Sequence, residues 1–142
     1  MSVHETAIDV RFGDTDMFGH VNNAAFATFA ETARLTFLRD VLGGTPDRPG
    51  GDMGGVILAR IAIDFRQQLL FGQSAYVATE IERIGNSSIT LVHQVISDGQ
   101  VVADISSVVV AYDYEAQRPK PIPDSVRELL APYNREAQKA VS

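Results

Sequence analysis

The chain has 142 residues, no cysteine and a formal net charge of −6 at pH 7. This length predicts one domain, residues 1–142, with a hydrophobic core of its own. The lack of cysteine excludes a disulfide framework, a thiolate metal site and a cysteine nucleophile, and the negative charge argues against a nucleic-acid partner. We find neither a signal-peptide pattern nor an apolar run long enough to span a bilayer, so we expect a cytoplasmic protein without a membrane partner.

The first two elements differ in their periodicity. Apolar and polar side chains alternate over residues 6–12, which predicts a half-buried strand. From Asn22 the period becomes helical, and Gly43-Gly44 is a typical C-terminal stop signal. The apolar face of this helix comprises Phe26, Phe29, Ala30, Ala33, Phe37 and Val41. Because Leu35 and several alanines extend apolar surface to the other sides, we expect the helix to be largely buried.

A loop and four more strands follow the helix. Residues 43–55 contain six glycines and two prolines, which predicts either a plain connector or a lid over a site. Strand-like patterns cover residues 56–65, 75–83, 89–97 and 101–112, and the first of these places Ile57, Ala59, Ile61, Ile63 and Phe65 on one face. Asp98-Gly99 is a two-residue hairpin signal.

The connections and the C-terminus complete the predicted fold. Short turns favour an antiparallel meander over βαβ units, and Ser125 with Glu128 forms a capping-box pattern at the start of a short amphipathic helix. We therefore predict an α+β fold in which a five-stranded antiparallel sheet wraps around one long helix. The last strand is apolar on both faces, which indicates that the sheet needs a partner subunit.

Three ionisable residues, Asp14, Asp16 and His20, lie in the loop before the helix. The loop begins like a calcium loop, but Phe18 and Ala25 stand where oxygen ligands are needed, so we predict no metal site and no cofactor. There is also no G-x-S-x-G elbow and no Gly-rich phosphate loop. What remains is a carboxylate beside the free N–H groups of a helix start. That pairing suits acyl transfer, in which the helix start stabilises an oxyanion and the carboxylate attacks the carbonyl or activates water.

The stretch from Arg11 to Glu31 has the pattern R-x-x-D-x-D-x-x-G-H-V-N-N-x-x-F-x-x-F-x-E. It resembles the signature of hot-dog fold acyl-CoA thioesterases, in particular the 4-hydroxybenzoyl-CoA thioesterase-like family and its long-chain acyl-CoA branch. The similarity extends to residues 63–66, to Phe71-Gly72 and to residues 83–88. The resemblance implies the fold predicted above, a homodimer or homotetramer, and hydrolysis of an acyl-CoA to the free acid and CoA.

The resemblance also implies roles for individual residues. Asp16 matches the catalytic general base or nucleophile, and Asn23 matches the residue whose backbone N–H forms the oxyanion hole. His20 is a further catalytic candidate, while Asp14 and Arg11 match positions that hold the loop in shape. The expected substrate contacts are Gly19, Val21, Asn22 and Phe26.

Contacts with coenzyme A are predicted from charge and turn chemistry. Arg60, Arg66 and Arg83 could meet its phosphates, and the turn containing Ser87 and Ser88 could offer donors to the pantetheine arm. Acyl carrier protein is the alternative thiol carrier.

The chain departs from the family pattern at Phe26 and Phe29, where tyrosines are common, and at Gln68 and Gln73, where proline and aspartate are common.

Two other functions remain open at this stage. A hot-dog enoyl-CoA hydratase-like enzyme would use a D-x-N-P-x-H arrangement, but the spacing from Asp16 to His20 is one residue short and the proline is missing. A non-catalytic acyl-thioester-binding protein would need no carboxylate, and the intact loop from Asp16 to Asn23 argues against it.

Overall fold

The computed structural model describes residues 2–45, 47–48 and 50–136. Within them lie strands and two α-helices, with short 3-10 turns at Phe12–Asp14, Gly51–Met53 and Ala131–Tyr133. The main elements are β1 (His4–Ile8), α1 (Asn23–Leu42), β2 (Gly55–Phe65), β3 (Ala75–Ile84), β4 (Ser88–Ser97), β5 (Gln100–Asp113), β6 (Arg118–Pro119) and α2 (Asp124–Leu130).

The strands form one antiparallel sheet with the order β1-β3-β4-β5-β2, and the short β6 pairs with the end of β5. The sheet curls around α1, which packs against its inner face, and α2 contacts the far end of α1. This is the predicted hot-dog architecture of five main strands, one long helix and a short C-terminal helix. β1 and β2 are the two edge strands, so one side of each is left without a partner strand in this subunit.

Helix α1 begins and ends where the sequence predicts. Asn22 is its N-cap, and Gly43, with a φ of 70°, ends it in the left-handed conformation. The predicted apolar face is buried except at Val41, which is partly buried, and Ala30, Ala33 and Phe37 are fully enclosed. The prediction of a helix buried on most sides is wrong, because Ala24, Ala27 and Leu35 are exposed on the side that the sheet leaves open.

Strand β1 is shorter than predicted, and it ends at Ile8. The backbone N–H of Arg11 donates to Asp14 Oδ2 at 2.9 Å, and residues Phe12–Asp14 form a 3-10 turn. A short polar side chain has here drawn the backbone away from the strand ladder. As a result Phe12 is 78% exposed instead of lying on a buried strand face.

Strand β2 contains a β-bulge that shifts its faces. Leu58 pairs with Val109 and Arg60 pairs with Val108, so Ala59 is an extra residue. Ile61 and Ile63 pack against the core as predicted, but before the bulge it is Val56 that packs inward. The predicted single face containing Ile57 and Ala59 is therefore wrong.

Of two local sequence patterns in the second half of the chain, the predicted turn forms and the predicted helix cap does not. Asp98 and Gly99, with φ angles of 52° and 73°, make the predicted two-residue hairpin. Helix α2 begins at Asp124 after Pro123 and has no side-chain cap, so the capping box of Ser125 and Glu128 is wrong because Ser125 already lies in the first turn. In the described part of the chain no helix has the length and apolar character needed to cross a membrane.

Candidate active site

The start of α1 presents one backbone N–H that has no acceptor within the helix. Ala24 donates to the side-chain oxygen of Asn22 at 3.0 Å, and Ala25 donates to the Asn22 carbonyl at 2.9 Å. Asn22 itself donates to the Asp14 carbonyl at 2.7 Å. This leaves the N–H of Asn23, the first helical residue, to meet an external acceptor at the positive end of the helix dipole.

The two oxygens of the Asp16 carboxylate have different surroundings. Oδ1 accepts backbone N–H groups from Phe18 at 2.9 Å and from His20 at 3.1 Å. Oδ2 lies 4.0 Å from His20 Nδ1, which is too far for a hydrogen bond. One oxygen is therefore committed to the loop, and the other is available for a substrate or a water molecule.

The loop that carries Asp16 is closed by its own backbone. The N–H of Asp16 donates to the His20 carbonyl at 2.7 Å, and the N–H of Gly19 donates to the Asp16 carbonyl at 3.2 Å. Gly19 has a φ of 80°, a conformation that L side chains adopt only with strain. A glycine at this position therefore allows the chain to reverse between the carboxylate and the helix.

A second loop, between β2 and β3, holds the first one in place. The N–H of Val21 donates to the Leu69 carbonyl at 2.7 Å, and the N–H of Phe71 donates to the Gly19 carbonyl at 3.0 Å. His20 and Leu70 form a bridge between these bonds. Two segments about fifty residues apart in sequence thus form one hydrogen-bonded unit around the carboxylate.

These elements enclose a cavity of about 460 Å³. Its lining includes the predicted residues Asp16, His20, Val21, Asn22, Asn23, Phe26 and Arg66. Phe65, Gln67, Gln68 and Leu69 also line it, and the sequence offered no signal for these four as a group, because their position depends on the pairing of the two loops. Gly19 shapes the loop without lining the cavity. The Phe26 and Phe65 rings meet edge to face at 5.3 Å and form its apolar wall.

Asp14 and Arg11 occupy the supporting positions that were expected of them. Asp14 Oδ2 lies 3.8 Å from Arg11 Nε, and the Asp14 side chain is only 14% exposed. Asp14 does not line the 460 Å³ cavity. Asp16 is the more accessible of the two carboxylates, with a side chain that is 39% exposed.

The three predicted phosphate contacts fall in different places. Arg66 lines the cavity and is ion-paired with Asp104, which also accepts from Gln94. Burial raises the pKa of Asp104, but the hydrogen bonds from Arg66 and Gln94 and the charge of Arg66 together outweigh it, so the pKa lies below its usual value. Arg60 is exposed opposite Val108, and Arg83 is exposed opposite Thr90, so neither reaches this cavity within one subunit.

The turn with Ser87 and Ser88 lies at the opposite end of the sheet. The Ser87 carbonyl accepts from Ala111, and Ala111 pairs with Val56 at the start of β2. The cavity adjoins the other end of β2, at Phe65. Within one subunit these serines therefore do not meet the Asp16 loop.

A buried polar column runs across the sheet beneath α1. Thr79 Oγ1 and Ser107 Oγ each lie 3.0 Å from a ring nitrogen of His93, and all three residues are almost fully buried. Burial, reinforced by the positive charge of Arg34, lowers the pKa of His93 from 6.5 to about 4. A neutral His93 with both nitrogens occupied is a structural group.

Comparison with known proteins places this arrangement in a family. Residues 10–130 match the sequence model of the Thioesterase-like superfamily. The chain belongs to this family. It is 26% identical over 129 residues to the long-chain acyl-CoA thioesterase FadM of Escherichia coli strain K12, across 89% of this chain and 96% of that protein. The resemblance inferred from the Arg11–Glu31 pattern is thereby confirmed.

Solved structures agree with the sequence comparison. A predicted thioesterase from Bacillus stearothermophilus superposes with a TM-score of 0.83 at 32% identity, covering 94% of this chain and 97% of that one. A thioesterase from Thermus thermophilus, complexed with coenzyme A and Zn, gives a TM-score of 0.77 at 32% identity, covering 89% and 95%. The predicted enzyme class, thioester hydrolase, is confirmed by these relationships.

Proposed function

We propose that this member of the thioesterase-like superfamily hydrolyses an acyl-CoA to a free acid and CoA at the Asp16 cavity. The observation that carries the proposal is that the available Oδ2 of Asp16 and the helix start at Asn23 line the same cavity. A thioester carbonyl placed between them would have a base or nucleophile on one side and an N–H donor on the other. The relatives FadM and the CoA-bound thioesterase support acyl-CoA as the substrate class.

In the proposed reaction, Asp16 either removes a proton from water or attacks the carbonyl carbon itself. Either route adds an oxygen to that carbon and places negative charge on the carbonyl oxygen, which the N–H of Asn23 stabilises. Collapse of the intermediate breaks the carbon–sulfur bond and releases the CoA thiolate, which takes up a proton. In the covalent route, water then hydrolyses the mixed anhydride on Asp16.

We propose that His20 orients the carboxylate through its backbone N–H, and that its imidazole, on the exposed side of Asp16, contacts the substrate or its water. Gly19, Val21, Asn22 and Phe26 would shape the pocket for the acyl group. Arg66 would meet a CoA phosphate at the mouth of the cavity, in exchange for part of its pairing with Asp104.

We further propose a homodimer joined through β2. This edge strand is 11 residues long and exposes Ile57, Leu58 and Phe65, which is a surface that another strand could cover. Antiparallel pairing of two β2 strands would bring the Gly55 end of one copy beside the Phe65 end of the other. The Ser87–Ser88 turn and Arg83 of one subunit would then approach the cavity of its partner.

The direct test is a screen of acyl-CoA substrates with detection of the released thiol, run in parallel with acyl carrier protein thioesters. Hydrolysis of acyl-CoA supports the proposal, and hydrolysis of carrier-protein thioesters alone would change the thiol carrier. Hydration of enoyl-CoA without thiol release would favour the hydratase alternative. Tight binding without turnover would favour the non-catalytic alternative.

A further inference from the structure

A second cavity, of about 420 Å³, lies at the other end of α1. We call it the Arg34 cavity. Its walls come from α1, from Gly50 and Gly54 before β2, from the start of β2 and from the turn after β5. Its apolar lining residues are Leu35, Leu38, Val56, Leu58 and Tyr114. Asp47 and Arg48 also line it, and because their charges are opposite they leave Arg34 as the net charge of the cavity.

Arg34 has an unusual environment for a guanidinium. The residue is only 6% exposed, and among the described residues its Nη1 has no hydrogen-bond partner. No ion pair of Arg34 within 4.0 Å occurs in that part of the chain, although Glu31 on the same helix partly offsets its charge. An arginine stays protonated even when buried, so an unpaired one is costly and favours the approach of an anion.

The side chains that line the Arg34 cavity indicate which kind of anion would bind there. One buried guanidinium offers a fork of donors that matches a carboxylate. Besides Asp47, Arg48 and three glycines, the remaining wall consists of apolar side chains, which suits a ligand whose remaining part is apolar.

The Arg34 cavity and the Asp16 cavity lie along the same two elements. Phe26 of α1 and Phe65 of β2 line the Asp16 cavity, whereas Leu38 of α1 and Val56 of β2 line the Arg34 cavity. The eleven helical steps from Asn23 to Arg34 correspond to about 16 Å. A linear acyl chain of about this length, starting at the Asp16 site, would span the distance to Arg34.

We propose that the Arg34 cavity binds a carboxylate at the end of an apolar chain. Two sources share this chemistry, namely the far end of an ω-carboxyacyl group whose thioester lies at Asp16, and a free carboxylic acid. The first source rests on the proposed function, whereas binding of a free acid does not require thioester hydrolysis. Charge pairing with Arg34 supplies the selectivity for an acid over an alcohol or a methyl end.

The binding test compares octanoate with 1-octanol, by calorimetry and by the shift in melting temperature. The variants are Arg34→Met, which removes the charge and keeps the length, and Arg39→Met, which removes a charge from the exposed side of the same helix. We expect octanoate affinity to fall at least tenfold in Arg34→Met only, with octanol unaffected. Methyl NMR shifts should appear at Leu38 and Leu58.

A kinetic test distinguishes the two sources. If the cavity receives the far end of the acyl group, the wild type should hydrolyse the CoA monothioester of decanedioic acid with a kcat/KM at least tenfold above that for decanoyl-CoA. Arg34→Met should abolish this preference, and Arg39→Met should keep it. Octanoate binding without any such preference would assign the cavity to a free acid.

Two results would overturn the proposal. The first is that wild type and Arg34→Met have the same octanoate affinity and the same preference between the two CoA substrates. The other is a large loss of melting temperature in ligand-free Arg34→Met, with no octanoate-induced shift in the wild type, which would show that Arg34 has a structural partner. If no acyl-CoA is hydrolysed but octanoate binds through Arg34, the proposed function fails and the carboxylate site stands.

Discussion

Asp16 and His20 contact each other through two different pairs of atoms. The backbone N–H of His20 donates to Asp16 Oδ1 at 3.1 Å, whereas the imidazole Nδ1 of His20 lies 4.0 Å from Oδ2. The first contact holds one carboxylate oxygen, and the second is too long for a hydrogen bond, so the other oxygen stays available. A substitution that keeps the acceptor Oδ1 and replaces Oδ2 therefore separates the catalytic role of the carboxylate from its role in holding the loop.

Asp16→Asn is that substitution, because the amide can retain the Oδ1 acceptor while losing basicity and charge. We expect turnover to fall by about 10²–10⁴-fold, which is the usual effect of losing a general base or nucleophile. The melting temperature should change little. Steady-state kcat on one acyl-CoA substrate, with circular dichroism of both proteins, measures both effects.

Asp14→Asn is the matched control for Asp16→Asn. Asp14 supports the loop through Arg11, so this variant should lose more thermal stability and less turnover. An inactive Asp14→Asn together with an active Asp16→Asn would move the catalytic assignment to Asp14.

Arg66→Ala tests the phosphate contact. A contact that is equally good in the ground and transition states raises KM when it is removed and leaves kcat nearly unchanged. We expect this pattern for acyl-CoA, together with weaker inhibition by free CoA. Arg60→Ala removes an exposed arginine of β2 that does not line the cavity, and it should have the smaller effect. Equal KM values for wild type and Arg66→Ala would refute the assignment of Arg66.

Gly19→Ala tests the left-handed turn between Asp16 and α1. A Cβ at Gly19 meets nothing within 4 Å, so the cost is conformational, roughly 1–2 kcal/mol for a left-handed residue. Because the strain falls on the catalytic loop, kcat should decrease. Gly13→Ala is the control, since its Cβ also meets nothing within 4 Å and its φ is not positive. Similar kcat losses in both variants would show that the backbone angle is not the cause.

His93 predicts an acid-dependent loss of stability. The pKa of His93 is about 4 in the folded protein and about 6.5 in an unfolded chain, so the unfolded state binds more protons between these values. The free energy of unfolding therefore decreases as pH falls from about 6.5 to 4, by about 3 kcal/mol in total from this group. His93→Gln should remove this contribution. Urea unfolding of both proteins at pH 7 and pH 5 measures the difference, and parallel pH profiles would contradict it.

The proposed homodimer predicts a dimeric mass by light scattering at micromolar concentration. Ile57→Glu places a charge on edge strand β2 at an exposed residue that does not line the Arg34 cavity, and we expect monomers with reduced activity. Val3→Glu, at an exposed apolar residue near the opposite edge of the sheet, should leave the dimer intact. A wild-type protein that is monomeric and fully active would refute the interface.

Sequence reasoning succeeded where the information was local or the pattern was long. The helical period from Asn22 to Gly43 and the Asp98-Gly99 turn each determine structure without distant contacts. The cavity residues Gln67 and Leu69 were missed because they reach the site only when the β2–β3 loop pairs with the Asp16 loop. Arg34 did carry a signal, since it falls four residues after the buried Ala30 on the apolar face of the helix.

The faces of β2 and the end of β1 could not be predicted for related reasons. The bulge at Ala59 depends on how β2 pairs with Val108 and Val109, which a single strand pattern does not encode. The end of β1 depends on competition between the strand ladder and the Asp14 side chain for the N–H of Arg11. For both the β2 bulge and the end of β1, the sequence pattern fits the regular strand as well as the irregular one.

The pairing of the Asp16 loop with the β2–β3 loop has a consequence for engineering the enzyme. Gln67 and Gln68 line the cavity, so a library aimed at a new acyl preference would randomise this segment. The neighbouring Leu69 and Phe71 hold Val21 and Gly19 through their backbone. Acyl selectivity and catalytic rate therefore both depend on the β2–β3 loop. Insertions or deletions in this loop should be lost in a selection for activity, even when they improve the fit of the substrate.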